Sequence, residues 1–575
     1  MGGRQGWNRG PFSVVPRHRD PFEASSGAKG AVETGRNRLI LAGALFLAAY
    51  GAIGLRLMDL ALVKAGREPT LAESADRGRF QAERRDITDR NGVLLATNLA
   101  TASLFADSTL VPDPAAAAAG LATVLPGLDA AETREKLGSG RRFVWIRRNL
   151  TPEQQYAVNR LGLPGLSFQR EARRVFPQGA LAAHVTGFSG IDNGGLAGIE
   201  KHLDAALAGG SAPLALALDL RVQHLLREEL LATISDFNAR GGMGLVMDVR
   251  TGEILALVSL PDFEPNHPAT AAPDSRFNRA SLGVYEMGST FKIFTIAMAL
   301  ESETATLESG YDATNPIRVS RFVIEDFHPQ RRWLTVPEIF LHSSNIGAAK
   351  MALDVGTEFQ REFFRRLGFL EPIRLELPEA GRPIVPSPWR EINTLTTGYG
   401  HGMAITPIHL ASGVASIVNG GRLVHPTLLM RSVSSAGTKV VSPRTSAQIR
   451  ALMRLVVTAG TGKQADVPGY VVGGKTGTAE KSGAGGYSRK ALMSSFVGVF
   501  PMNAPRYVVL VMVDEPKANA RSRGYATGGW VAAPTVGRVI GRMAPLLGVS
   551  PEIAAEPAGL EWVDAKGSDR KLASY

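Results

Sequence analysis

The 575-residue sequence contains no cysteine, which fits an oxidising compartment, where free thiols are a hazard. Its ten histidines form no H-E-x-x-H pattern, so a metalloprotease is disfavoured. There is no G-x-S-x-G and no internal repeat. Gly460–Lys463 resembles part of a phosphate loop, but Val457 and Gln464 occupy positions that need glycine and serine or threonine.

Acidic residues are outnumbered by basic ones, so the chain is basic overall. The net charge is +11, yet the basic residues are scattered and form no stripe with interleaved aromatic residues. Nucleic-acid binding is therefore disfavoured, and a membrane surface or an anionic cell-wall polymer explains the charge at least as well. The apolar content of 44% and charged content of 20% are normal for a globular protein, and the length predicts two or three domains.

One long apolar segment is present near the N-terminus. Residues 39–55 form an uncharged run of 17, and apolar character resumes after Arg56, which predicts one membrane-spanning helix over residues 39–60. The arm before it, residues 1–38, carries seven Lys and Arg against three Asp and Glu, so we expect it in the cytoplasm and the rest of the chain outside. A cleaved secretory signal is the alternative. The long arm and the lack of a clear A-x-A site after the run favour an uncleaved anchor.

The region before residue 214 shows no recognisable catalytic set. The arm of residues 1–38 is rich in Gly, Arg and Pro and is predicted to be disordered. Residues 64–213 are predicted to form a non-catalytic pedestal of mixed α and β structure. It has a hairpin turn at Asn91-Gly92 and helices near 113–125 and 151–162.

Residues 214–550 contain more apolar strand-like and helix-like segments and are predicted to form one α+β domain, followed by a polar tail at 551–575. Strands are expected in both its first and last parts, and helices between them. We expect an antiparallel sheet from these strand segments: Leu214–Leu220, Gly244–Val249, Glu253–Ser259, Gly469–Thr478, Leu492–Phe500 and Tyr507–Val513. The clearest helix segments are Val222–Ile234, Phe291–Leu300 and Ile405–Ile417.

Three short motifs follow one another in this region: S-x-x-K at Ser289–Lys292, S-x-N at Ser343–Asn345 and K-T-G at Lys475–Gly477. S-x-x-K alone is weak, because it also occurs at Ser26 and Ser568, in the polar arm and the charged tail. S-x-N and K-T-G each occur once. The set and its order match the signature of serine β-lactamases and penicillin-binding proteins.

The motifs supply a nucleophile and a means of activating it. A serine hydroxyl needs a base within reach, and Lys292, three residues on along a helix, can bring its amine to Ser289. That amine must be neutral, and burial together with the charge of Lys475 would lower its pKa. Gly288 would allow a close backbone approach at the helix start.

The other motif residues suit a peptide substrate with a free carboxylate. We expect Ser343 to relay a proton to the leaving amine and Asn345 to hydrogen-bond a substrate amide. On a strand edge, Lys475 and Thr478 would hold the carboxylate, beside Thr476, and Gly477 would leave room for the substrate backbone. Each residue alone has an ordinary structural explanation, such as a solvated lysine, a turn or a strand bend. Only their joint order favours acyl transfer.

Longer stretches carry a family resemblance. They include Arg85–Gly92, Gly198–Glu200, Asn278–Ala280, Tyr285–Lys292, His342–Gly347, Tyr399–Gly402 and Gly474–Lys481. From the membrane segment to about residue 545, the chain resembles a class B penicillin-binding protein, most closely the FtsI-type cell-division transpeptidase. It departs from the family at Met287, where proline is usual, and at His401, where an aromatic residue is frequent.

The resemblance implies a transpeptidase domain with the serine β-lactamase-like fold and a periplasmic, inner-membrane-anchored D,D-transpeptidase that crosslinks peptidoglycan. Ser289 would attack the D-Ala–D-Ala carbonyl of a donor stem peptide, with Lys292 as base. The backbone N–H groups of Ser289 and Thr478 would form the oxyanion hole. An amine of a second stem peptide would take the acyl group, and β-lactams would acylate the same serine. The implied partners are an FtsW-type glycosyltransferase and divisome proteins; no metal or cofactor is implied.

Three alternatives remain open. An elongation-specific homologue would use the same chemistry in another complex. A β-lactamase or carboxypeptidase would hydrolyse the acyl-enzyme, but no E-x-x-L-N pattern is present to position a deacylating water. A β-lactam sensor would need a signalling module, for which a 38-residue arm is too short.

Overall fold

The computed structural model describes residues 40–55, 58, 84–319, 322–431, 437–483 and 486–552. It divides into a unit that ends at Gln81 and a unit that begins at Ala82. In the first unit, residues 40–55 and 58 are helical, while the rest of the predicted 39–60 helix and the arm of residues 1–38 lie outside the described residues. No helix among the described residues combines the length and the apolar character needed to cross a membrane. Of the predicted tail, only residues 551–552 are described.

The first part of the larger unit is built around a five-stranded sheet. Its strands run in the order β3-β2-β1-β5, and β4 pairs with β2 as well. The strands are β1 (Ile87–Thr88), β2 (Leu94–Ala106), β3 (Val144–Leu150), β4 (Leu166–Val175) and β5 (Leu214–Ala215). The turn that joins β1 to β2 contains Asn91 and Gly92, where the hairpin was predicted, and Gly92 has a φ of 84°.

Six short helices accompany this sheet: α1 (Pro114–Val124), α2 (Ala130–Leu137), α3 (Pro152–Arg160), α4 (Ala183–Thr186), α5 (Gly198–His202) and α6 (Asp204–Leu207). The two predicted helices correspond to α1 and α3. Helix α2 was not predicted, because its apolar pattern is weak. Asp129 is a favoured N-cap residue and could have indicated the start of this helix. In the structure, its side chain accepts hydrogen bonds from the backbone N–H groups of Ala131 and Glu132.

The second part contains a five-stranded antiparallel sheet in the order β12-β13-β14-β6-β7. As predicted, its first and last segments along the chain form one sheet. The sheet strands are β6 (Gly241–Asp248), β7 (Ile254–Leu260), β12 (Gly473–Gly483), β13 (Gly486–Phe500) and β14 (Tyr507–Asp514). Four short strands form two separate pairs: β8 (Gly310–Asp312), β9 (Ile317–Val319), β10 (Phe322–Ile324) and β11 (Trp333–Thr335).

Helices cover both faces of this sheet. They are α7 (Leu220–Asp236), α8 (Pro273–Arg276), α9 (Lys292–Glu301), α10 (Val336–His342), α11 (Asn345–Val355), α12 (Thr357–Arg366), α13 (Glu391–Thr397), α14 (Pro407–Val418), α15 (Pro443–Thr458) and α16 (Ala532–Leu546). The predicted strand over 214–220 is wrong beyond residue 215. Asp219 accepts a hydrogen bond from the N–H of Arg221 and caps α7, so Leu220 is already helical.

Strand β14 shows why the sheet is buried on both sides. Successive side chains of a strand point to opposite faces. Leu510 and its alternate neighbours pack with residues of α9 and α14, whereas Val511 and its alternate neighbours pack with residues of α7 and α16. The strand is therefore apolar along its whole length, which is typical of a sheet between two helical layers.

Strand β12 forms one edge of the sheet and lies against the start of α9. A short 3₁₀ turn, Gly288–Phe291, leads into that helix. Gly288 has a φ of 53°, and a Cβ atom there would come within 2.8 Å of the carbonyl oxygen of Thr478. This contact brings the S-x-x-K and K-T-G motifs together, and the predicted close approach at Gly288 is confirmed.

Candidate active site

Ser289 and Lys292 contact each other directly. Ser289 lies in the 3₁₀ turn and Lys292 is the first residue of α9, and Nζ of Lys292 is 2.9 Å from Oγ of Ser289. In a 3₁₀ turn, side chains three residues apart lie above one another, which brings the amine over the hydroxyl.

The surroundings of Lys292 favour its neutral form. The side chain is fully buried, and burial, followed by the charge of Lys475, lowers its pKa well below 10.5. Both causes were predicted from the sequence. Lys292 Nζ also lies 2.7 Å from the carbonyl oxygen of Ser343 and 2.7 Å from Oδ1 of Asn345. These two oxygens can only accept, so they take the two N–H donors of a neutral amine, and its lone pair is left for a hydroxyl proton.

Ser343 lies between the two lysines of the site. Its Oγ is 3.1 Å from Nζ of Lys292 and 3.1 Å from Nζ of Lys475. Ser343 follows α10 with φ 59° and ψ 41°, the left-handed region that non-glycine residues rarely adopt. Ser344 then caps α11, and Asn345 is the first residue of that helix. The S-x-N motif is thus a sharp turn between two helices.

Lys475 is a buried cation at the start of the edge strand. It is fully buried, and burial lowers its pKa to about 7. Beyond Ser343, its Nζ contacts the carbonyl oxygen of Thr476 at 3.3 Å and lies 5.7 Å from the ring centroid of Phe340. No carboxylate pairs with it within the described parts of the chain, and burial is the cause of its lowered pKa. A substrate carboxylate would supply the missing counter-charge.

The rest of the K-T-G-T segment is held by the protein itself. The hydroxyl of Thr476 is 2.7 Å from that of Thr461, and Oγ1 of Thr478 accepts a hydrogen bond from the N–H of Gly528 at 3.1 Å. Gly477 has a packing role that was not predicted. A Cβ atom at Gly477 would lie 2.3 Å from Oγ of Ser495, so internal packing also requires glycine here, and the predicted room for a substrate backbone stays a prediction.

Several residues that support the motifs were not predicted from the sequence. Asp326 binds the start of α11 through its carboxylate, and Thr461 contacts the K-T-G strand. Gly400 lies against the nucleophile turn, because its carbonyl accepts a hydrogen bond from the N–H of Gly288 at 3.0 Å. The G-T-G sequence around Thr461 and the G-H-G sequence that begins at Gly400 could have indicated functional turns. Their distance from Ser289 along the chain gave no indication that they lie near it.

The two departures from the family pattern lie beside the site. Met287 is buried directly before the nucleophile turn, and its carbonyl accepts a hydrogen bond from the hydroxyl of Thr290 at 2.8 Å. Burial, followed by the charge of Lys292, lowers the pKa of His401 to about 4, so His401 is neutral at physiological pH. In the described ranges, no cluster of three or more His, Asp or Glu residues is arranged to hold a metal ion.

The chain is similar to known proteins over both parts of its larger unit. Residues 242–541 match the penicillin binding protein transpeptidase domain, and residues 79–213 match the penicillin-binding protein dimerisation domain. The chain is 40% identical to the "Probable peptidoglycan D,D-transpeptidase FtsI" of Caulobacter vibrioides, over 95% of this chain and 96% of that protein. It is 33% identical to the "Probable peptidoglycan D,D-transpeptidase PenA" of Neisseria meningitidis, over 82% and 85% of the two chains.

A solved structure has the same fold. Penicillin binding protein 3 of Mycobacterium tuberculosis, complexed with aztreonam, superposes with a TM-score of 0.65 at 23% identity, over 82% of this chain and 98% of that one. The domain match covers more than half of the chain, and the Caulobacter vibrioides relative is aligned almost end to end. The chain therefore belongs to the penicillin-binding protein transpeptidases, within the class B group that the sequence analysis predicted.

Proposed function

We propose that this chain is a peptidoglycan D,D-transpeptidase that works through an acyl-enzyme on Ser289. The observation that carries the proposal is the 2.9 Å contact between Ser289 Oγ and the buried amine of Lys292. A buried, neutral lysine is a competent base for a serine hydroxyl. The FtsI and PenA relatives are named as enzymes of this activity.

The reaction proceeds by two acyl transfers. Lys292 takes the proton of Ser289 as its Oγ attacks the D-Ala–D-Ala carbonyl of the donor stem peptide. The C–N bond then breaks, and the terminal D-alanine leaves with a proton delivered through Ser343, whose Oγ lies 3.1 Å from each lysine amine. An amine of a second stem peptide attacks the ester, loses a proton to the same relay, and restores the free serine.

The edge strand β12 binds the donor. The cation of Lys475, with the hydroxyls of Thr476 and Thr478 near it, receives the terminal carboxylate. Asn345 holds a substrate amide beside the reacting carbonyl. The N–H groups of Ser289 and Thr478 stabilise the oxyanion, and the 2.8 Å approach between the Cβ position of Gly288 and the Thr478 carbonyl supports their closeness. β-Lactams acylate Ser289 as substrate mimics.

The chain is organised to present this site at the outer face of the inner membrane. The arm of residues 1–38 lies in the cytoplasm, residues 39–60 anchor the chain, and the pedestal of residues 64–213 supports a catalytic domain of residues 214–550. The uncharged run of residues 39–55 and the basic arm support this topology.

The chain acts in septal cell-wall synthesis beside an FtsW-type glycosyltransferase and other divisome proteins. The 40% identity to an FtsI protein supports this role over the elongation-specific alternative. Depletion of the chain in its own host distinguishes the two, because loss of septal synthesis gives filaments and loss of elongation gives round cells.

The activity is tested with the purified chain and lipid-linked or polymeric peptidoglycan that carries intact stem pentapeptides. Crosslinked dimers and free D-alanine should appear with the wild-type chain and be lost in Ser289→Ala. Rapid β-lactam hydrolysis without crosslinking would contradict the proposal and favour the hydrolase alternative.

A further inference from the structure

Asp326 fixes the backbone of the S-x-N motif from outside it. Asp326 is only 8% exposed, and its Oδ2 accepts a hydrogen bond from Oγ of Ser344 at 2.7 Å. Oδ1 accepts from the N–H groups of Asn345 and Ile346 at 2.5 and 3.0 Å. A single carboxylate therefore binds three consecutive residues at the start of α11.

The neighbouring residue, Glu325, orients the amide of Asn345. Nδ2 of Asn345 donates to the carbonyl oxygen of Glu325 at 2.9 Å, and its Oδ1 accepts from Nζ of Lys292 at 2.7 Å. The amide thus bridges the backbone beside Asp326 to the amine that contacts Ser289. Residues 325–326 control both the backbone and the side chain of Asn345.

The conformation of Ser343 makes this support necessary. Its left-handed backbone directs the carbonyl oxygen and the hydroxyl to the same amine, at 2.7 and 3.1 Å from Nζ of Lys292. A non-glycine residue holds such a conformation only where its surroundings require it. The bonds from Asp326 to residues 344–346 restrain the backbone that immediately follows Ser343.

Asp326 also contributes charge. Burial and then Lys475 lower the pKa of Lys292, and the carboxylate of Asp326 acts in the opposite direction. The other titratable group that interacts with Lys292 within the described ranges is His401, whose own pKa is lowered to about 4. Asp326 is therefore the anion that offsets Lys475 at the catalytic amine.

We infer that Asp326 is a positioning residue for acylation: it holds Ser343 and Asn345 in the arrangement that keeps Lys292 against Ser289. This inference rests on the proposed function, in which Lys292 takes the proton of Ser289. Asp326 acts through the S-x-N motif and through its charge, and does not act on the substrate.

The experiment measures the rate constant of acylation by a fluorescent penicillin between about pH 5 and pH 10 for the wild-type chain, Asp326→Ala and Asp326→Asn. Asp326→Ala should lower the rate constant about 100-fold, because the base and the nucleophile lose their alignment. Asp326→Asn keeps an oxygen acceptor for the two N–H groups but removes the charge. Its loss should be smaller, about tenfold, and the acid limb of its pH profile should move down by about one pH unit.

The shift of the acid limb separates the charge effect of Asp326 from simple loss of structure. Lys292 acts as a base only when neutral, and removal of the anion lowers its pKa, so the active form persists to lower pH. A matched control is Asp113→Ala in the pedestal, because Asp113 accepts from the N–H groups of Ala115 and Ala116 at 3.0 and 2.9 Å in the same way. This control should lose thermal stability and keep the acylation rate within about twofold.

The outcomes distinguish this inference from the proposed function. If the wild-type chain is labelled and Asp326→Ala reacts within about threefold of it, with an unshifted acid limb in Asp326→Asn, the inference is overturned and the proposed function stands. If the wild-type chain takes no label, both are overturned. If Asp326→Ala does not fold, Asp326→Asn decides the question: a rate constant lower by about tenfold with a shifted acid limb supports the inference, and a wild-type rate constant with an unshifted limb overturns it.

Discussion

Gly400 packs its backbone directly on that of Gly288, the residue before the nucleophile. A Cβ atom at Gly400 would lie 1.9 Å from the carbonyl oxygen of Gly288, and the N–H of Gly288 donates to the carbonyl of Gly400 at 3.0 Å. The position of Ser289 thus depends on a contact with a residue more than a hundred positions away in the chain.

Gly400→Ala should therefore damage both stability and acylation. Gly400 has a φ of 93°, and backbone atoms, which cannot rotate aside, occupy the place of the new methyl group. We expect a loss of about 3 kcal/mol or more in the free energy of unfolding, and a lower acylation rate in the remaining folded protein. Denaturant unfolding and labelling by a fluorescent penicillin measure the two effects.

Gly368→Ala is the control for this change. Gly368 has a φ of 79° but nothing within 4 Å of its Cβ position, so it isolates the backbone strain from the steric clash. It should lose only about 1–2 kcal/mol and acylate normally. Equal effects of the two substitutions on acylation would refute the argument about the contact.

The buried amine of Lys475 should make the protein less stable than an apolar substitute would. Burial lowers its pKa from 10.5 in the unfolded chain to about 7, so between these pH values the unfolded chain binds more protons. Its destabilising effect is complete below about pH 7 and fades as the pH rises toward 10.5. Lys475→Met should thus gain roughly 1–4 kcal/mol at about pH 6 and little at about pH 10, while acylation is lost.

Lys481 lies on the same strand as Lys475, and its substitution by methionine should have the opposite effect on stability. It therefore serves as the control for Lys475→Met. Burial lowers its pKa, but hydrogen bonds to Asp514 and Glu515 outweigh this and leave the pKa raised. This residue therefore stabilises the fold below its unfolded pKa, and Lys481→Met should lose up to about 1 kcal/mol at neutral pH. If Lys475→Met is less stable than wild type at every pH, the account of its burial fails.

The pedestal should depend on one buried anion. Glu200 is fully buried and accepts from Nε of Arg84 at 2.9 Å and from Nε of Arg174 at 2.7 Å. Glu200→Ala removes the carboxylate partner of the buried Arg174, leaves Arg84 paired with the half-exposed Asp204, and should cost about 3–5 kcal/mol. Acylation by the folded fraction should remain normal, since these residues belong to the pedestal.

An exposed ion pair of the pedestal gives the comparison for Glu200. Glu132 and Lys136 pair at 2.7 Å on the surface of α2. Glu132→Ala should cost no more than about 0.5 kcal/mol. Thermal unfolding of both variants checks the difference, and similar losses would contradict the distinction between buried and exposed pairs.

The sequence predicted which side chains meet in the candidate site, but it did not predict the contacts that hold them there. Ser289, Lys292 and Lys475 were recognised because acyl transfer requires these residue types at short, ordered spacings, and the lowered pKa of Lys292 followed from the same reasoning. The sheet was also predictable, since β6, β13 and β14 are apolar runs bounded by turn residues.

The supporting contacts were not predictable, because they join residues that only the tertiary fold brings together. Asp326 lies in a loop with no motif of its own, and Gly400 acts on Gly288 across the interior of the domain. The packing requirement at Gly477 was not predictable either, because the direction of its missing Cβ depends on the strand's orientation against Ser495. The short helix α2 was not predicted because its apolar residues show little helical periodicity, and its N-cap Asp129 was the one clear signal in the sequence.

The central claim is that Ser289 is the nucleophile, and mass spectrometry of the β-lactam-treated chain tests it most directly. Intact-mass measurement followed by peptide mapping should find one penicilloyl group per chain, attached to Ser289, and none on Ser289→Ala. An adduct on another residue, or undiminished labelling of Ser289→Ala, would contradict the account.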